Sequence, residues 1–105
     1  MAFAGYETVE IPIALAHLYQ DMAISPMIVL KNYALTQVYP HIQKYEAETR
    51  YFETKYGCKF SDFQAKLAAL ENAENFTWED DALDWEFAVE NFRLWQRRAE
   101  EVEQA

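Results

Sequence analysis

The residue types able to do acid–base, nucleophilic or metal chemistry are sparse in this chain. His17 and His41 are its only histidines and Cys58 its only cysteine, whereas carboxylates are abundant. A carboxylate-bridged metal pair in a helical bundle needs Glu-x-x-His motifs on facing helices, and neither histidine has an acidic residue three positions before it. Both histidines therefore read as surface or core residues, and no metal or other cofactor is expected. Cys58 precedes Lys59, a cation able to lower a thiol pKa, but no histidine lies near it in sequence to act as base. It reads as a structural thiol. The two glycines, at 5 and 57, are isolated, so no phosphate-cradling loop is present. The chain is not expected to be an enzyme.

Its charge points to binding instead. Of 105 residues, 18 are acidic and 9 basic, a net of -9 whose field repels phosphate backbones and anionic membranes and favours basic partners. The densest part runs from Glu71 to Glu90. It holds Glu71, Glu74, Glu79, Asp80, Asp81, Asp84, Glu86 and Glu90 with no basic residue, interleaved with Phe76, Trp78, Trp85 and Phe87. Aromatic anchors in a negative field suit a cationic groove on another protein. The competing reading is a solvated acidic face over a core of aromatics. By spacing, Trp78 and Trp85 belong to a core stripe, and Phe87 falls off it.

The elements that must position these residues are helices. Gly is 2 and Pro 3 against 51% hydrophobic residues, which favours regular elements and a single domain over residues 1–105. Residues 6–12 alternate polar and apolar and suggest a short strand ended by Pro12. Pro12 also suits the first turn of a helix running to about Met22, and Ser25-Pro26 is a second helix start. From Leu35 a heptad seam follows through Val38, Ile42, Tyr45, Thr49, Phe52 and Tyr56. It stays in phase across Pro40, which fits one kinked helix or two helices meeting at Tyr39. Gly57 stops this element.

Ser61-Asp62-Phe63-Gln64 fits a capping box for a short helix to about Glu71, and Thr77 is the next expected cap. The last helix carries two interleaved stripes, Trp78-Ala82-Trp85-Val89-Phe92 and Ala88-Phe92-Trp95-Ala99-Val102. One stripe suffices to pack on the seam. The second calls for its own partner, either the N-terminal segment or a second copy of the chain. The fold expected is mainly α: an antiparallel helical hairpin with a short connecting helix, and an N-terminal strand and helix acting in dimerisation.

Strand, short helix, Ser-Pro turn and second helix in residues 6–39 mimic the order of a ribbon-helix-helix dimer, in which paired strands enter the DNA major groove. The outward positions would be Thr8 and Glu10, and no Lys or Arg occurs before Lys31. Direct nucleic-acid binding is therefore not expected. The amino-terminal sequence lacks the features of a secretory signal, the apolar runs are too short to span a bilayer, and one cysteine forms no intrachain disulfide. A cytoplasmic, non-membrane protein is the expectation.

Lys55-Tyr56-Gly57, then Phe60-Ser61-Asp62-Phe63, then Trp78-Glu79-Asp80-Asp81 with Asp84-Trp85-Glu86, resembles a group of small helical bacterial proteins described as antitoxins, mainly over residues 40–100. Pro40 departs from that pattern. The resemblance implies neutralisation by contact, an acidic protein covering the basic surface of a toxin encoded beside it. On this reading Asp80, Asp81, Asp84 and Glu86 supply charge, and Trp78 and Phe87 are anchors. The alternative is a homo-oligomeric scaffold or autoregulatory subunit whose N-terminal segment makes the dimer.

Overall fold

A computed structural model describes residues 5–70 and 75–105. Four helices make up the described chain: α1 (Ile13–Asp21), α2 (Pro26–Tyr56), α3 (Phe60–Ala68) and α4 (Phe76–Gln104). α2 and α4 form the main packing pair, with α3 against α4. They run antiparallel: Lys31 at the start of α2 reaches the backbone oxygens of Glu103 and Ala105, while Lys55 at its end meets Asp81 near the start of α4. The result is a rod of 67 × 25 × 18 Å. No single helix among the described residues is long and apolar enough to cross a membrane.

The heptad seam faces α4 throughout. Val38, Tyr45 and Phe52 are the buried residues of α2, and Ile42 and Tyr56 are half-buried in the same register. α2 is one helix through Pro40. Proline removes one N–H, and Pro40 is exposed, so water can serve the carbonyl left without its helical donor. Gly57 ends α2 at φ 67°, the left-handed conformation that lets its N–H bond back to the Glu53 carbonyl at 2.8 Å.

Three local expectations are corrected. Residues 6–12 form no strand, since a strand needs a neighbour and none of the described residues pairs with them. Ser61 does not cap α3, which begins at Phe60 after Lys59, and α3 ends at Ala68; Glu71 lies outside the described residues. Thr77 does not cap α4. Asn75 does, its side-chain oxygen accepting from the Trp78 N–H at 3.1 Å.

Both stripes of α4 are covered within the chain, one by α2 and the other by α3, which is neither of the partners expected for a second stripe. α2 covers the Ala88–Ala99 side, where Ala88 and Ala99 are buried and Trp95 stacks on His41 with centroids 4.1 Å apart. α3 covers the other. Phe63 and Trp85 are fully buried, and with Phe52 they form the core, edged by Tyr56, Cys58, Phe60, Trp78, Ala82 and Val89. Phe63 lies 5.1 Å from Trp85 and Phe52 lies 5.6 Å from it, so the indole is clamped between α3 and α2. The connector thus closes the hairpin's turn end, and neither the N-terminal segment nor a second chain is needed to cover the stripe.

Candidate protein-binding site

The acidic residues of α4 fall into three environments set by helical geometry. With the core along Trp78, Trp85 and Ala88, positions 80, 84 and 87 share one exposed ridge, and 79, 83, 86 and 90 share the next. Asp80, Asp84 and Phe87 are exposed on the first. Glu86 is exposed on the second, with Glu79, Leu83 and Glu90. Glu71 and Glu74 lie outside the described residues.

Asp81 points inward and is already engaged. Its carboxylate accepts from Lys55 Nζ at 2.6 Å and from the Tyr56 hydroxyl. Burial pushes the Asp81 carboxyl up, but the Lys55 hydrogen bond, the Tyr56 hydrogen bond and the Lys55 charge outweigh it and hold the group below its usual range. Tyr56 is pushed up to about 12 by burial, then by its hydrogen bond to Asp81 and the carboxylate charge. Lys55 is raised by its hydrogen bond to Asp81. Trp78 is half-buried, packed edge-on to Tyr56 at 5.8 Å and tilted against Phe63 at 5.6 Å. Of the six candidate site residues, Asp80, Asp84, Glu86 and Phe87 remain open to a partner, whereas Asp81 and Trp78 serve the fold.

The first ridge borders a shallow hollow of about 530 Å³ between α2 and α4, lined by Ala47, Glu48, Tyr51, Phe52, Asp84 and Phe87. Phe87 is 56% exposed and Tyr51 60%, so both rings keep surface open to a partner. Phe87 is fixed from below by an edge contact to the buried Tyr45 ring at 5.8 Å. Glu48 and Asp84 bring carboxylates to the same hollow from the two helices. Carboxylates beside aromatic faces suit a Lys or Arg side chain, which gains charge pairing and cation–π contact together. The second ridge borders α3, where Leu83 is 66% exposed beside Glu79 and Glu86.

Glu48, Tyr51 and Leu83 were missed in the sequence. Leu83 carries a signal, since it falls off both α4 stripes. Tyr51 and Glu48 lie off the α2 seam, but only the pairing of α2 with α4 brings them beside Asp84. Cys58 packs against the core and His41 on Trp95, while His17 is exposed on α1. Among the described residues no group of three His, Cys, Asp or Glu side chains is placed to hold a metal ion. No known protein family, curated protein or solved structure matches the chain.

Proposed function

We propose that this chain is an antitoxin-like binding protein that neutralises a basic protein toxin by covering the surface the toxin uses to hold phosphates. The observation that carries the reading is the hollow that exposed Tyr51 and Phe87 line together with Glu48 and Asp84. A Lys or Arg of the partner enters this hollow, and Asp80 and Glu86 extend the negative field along α4. Charge of this kind speeds encounter and selects a cationic partner, while the aromatic faces supply desolvated contact area.

The test is co-purification of the tagged protein from its source at low and at moderate salt, with the wild type beside Asp84→Lys combined with Glu48→Lys, and beside Phe87→Ala. A single basic partner is expected with the wild type. The double reversal should weaken its capture at least ten-fold, and Phe87→Ala should weaken it at both salt concentrations. A partner held equally well by all three proteins, or no basic partner at all, would overturn the assignment.

A further inference from the structure

The N-terminal arm is the least satisfied part of the molecule. None of residues 5–37 is buried, although residues 11–30 are mainly apolar. Ile13 is 73% exposed, Leu18 48%, Met22 54%, Ile28 55% and Leu30 56%. Folded chains rarely leave a continuous apolar surface of this extent open to water. The arm also has an apolar crevice of about 200 Å³, lined by residues that include Val9, Ile11, Leu15, Tyr19, Val29 and Leu30. Residues 6–11, part of which line this crevice, belong to no helix or strand, and none of their backbone groups bonds to another described residue.

We propose that this arm is covered by the arm of a second copy of the chain, around a two-fold axis. Three observations select a second copy. First, the arm is self-complementary: it offers a concave apolar crevice together with protruding apolar side chains such as Ile13 and Leu18, as an isologous interface requires. Second, about ten large apolar side chains, each roughly half exposed, offer on the order of 800 Å² per chain, one partner's share of a standard interface. The alternating, unpaired segment 6–11 would add backbone pairing with its symmetry mate, supplying the neighbour that a strand needs.

Third, charge argues against the other occupants. The only charged residues from 5 to 30 are Glu7, Glu10 and Asp21, so an anionic lipid surface repels the arm and a cationic protein is drawn to α4 instead. The arm lies at the open end of the hairpin, away from the Asp80–Glu90 end. Pairing through it keeps the most acidic parts of two chains apart and leaves both Tyr51–Phe87 hollows free.

The test is sedimentation equilibrium of the full chain, with Leu18→Glu, Ile13→Glu and Val9→Pro beside the wild type. These side chains are exposed in the single chain, so α2 and α4 keep their packing and helical circular dichroism stays near the wild-type level. The wild type should be a dimer at micromolar concentration. Each glutamate variant should raise the dimer dissociation constant at least ten-fold, and Val9→Pro should raise it by removing a pairing N–H. A monomeric wild type, or a dimer indifferent to all three variants, would overturn the proposal. So would a wild type that is captured by neutral phosphatidylcholine vesicles in preference to dimerising. That rival is real, because α1 and the start of α2, joined across their 94° bend, together have the length and composition for a bilayer.

Discussion

Asp81 accepts Lys55 Nζ at 2.6 Å and the Tyr56 hydroxyl on the same oxygen, Oδ2, so one carboxylate ties the first turns of α4 to the last turn of α2. Its neighbours Asp80 and Asp84 make no such bond to a described residue and are exposed. Three acids within five residues therefore have two different tasks, and substitution should separate them. Asp81→Asn should destabilise the chain by about 1 kcal/mol, since a partly buried charged bond is lost. Asp80→Lys and Asp84→Lys should each stay within about 0.5 kcal/mol, as exposed substitutions do. Urea unfolding read by circular dichroism distinguishes them, and equal effects at positions 80, 81 and 84 would contradict the division.

The same cluster sets a pH dependence at both extremes. The Asp81 carboxyl is held below its usual value, so its stabilisation is present above its unfolded pKa, near 3.8, and is lost as pH falls through the lower folded value. Tyr56 is raised to about 12 and Lys55 is raised as well. Their contribution is complete below their unfolded pKa values, 10.0 for Tyr56 and 10.5 for Lys55, and is lost as pH climbs through the folded ones. Thermal unfolding followed from pH 9 to 12 should show a falling midpoint, and Tyr56→Phe should flatten that fall. An unchanged slope in the variant would remove Tyr56 from the account.

Thr49 interrupts the seam of α2, and its Oγ1 is buried without a hydrogen-bond partner among the described residues. Leaving a buried hydroxyl unpaired costs about 1–3 kcal/mol, and valine keeps the branched shape while removing it. Thr49→Val should therefore stabilise the hairpin by about 1 kcal/mol, raising the melting temperature by roughly 4 °C or more. A lower melting temperature would show that the hydroxyl is satisfied by water.

Gly57 adopts φ 67° with open space around the position a Cβ would take. The strain of a side chain there is thus purely conformational, and Gly57→Ala should cost about 1–2 kcal/mol. Gly57→Asn should cost less than Gly57→Ala, because asparagine enters the left-handed region more readily. Equal losses for the two variants would point to a clash in place of backbone strain.

Most of the helical framework was legible in the chain because it depends on local periodicity. The seam from Leu35 to Tyr56, the stop at Gly57 and the core place of Trp85 follow from 3.5-residue spacing and one residue's freedom at positive φ. The caps were less legible. Ser61 and Asn75 both have side chains able to accept from a helix N–H, and the choice between cap positions turns on where the neighbouring aromatics dock. Phe63 and Trp78 pull α3 and the start of α4 onto Trp85, and that packing sets the first helical turns.

The sequence by itself determined that this protein is helical, strongly acidic, and aromatic along its last helix, because those properties reside in residue type and spacing. Only the tertiary structure decided which acids are available. Asp81 and Asp84 are near neighbours with the same chemistry, but three residues along the helix leave a net offset of about 60° around its axis, enough to move a side chain from the edge of the α2 contact to the open surface. That rotation sends Asp81 to Lys55 and Tyr56, and Asp84 to the open hollow beside Tyr51. The division depends on which face of α4 meets α2, a choice made by burying Phe52, Phe63 and Trp85 together.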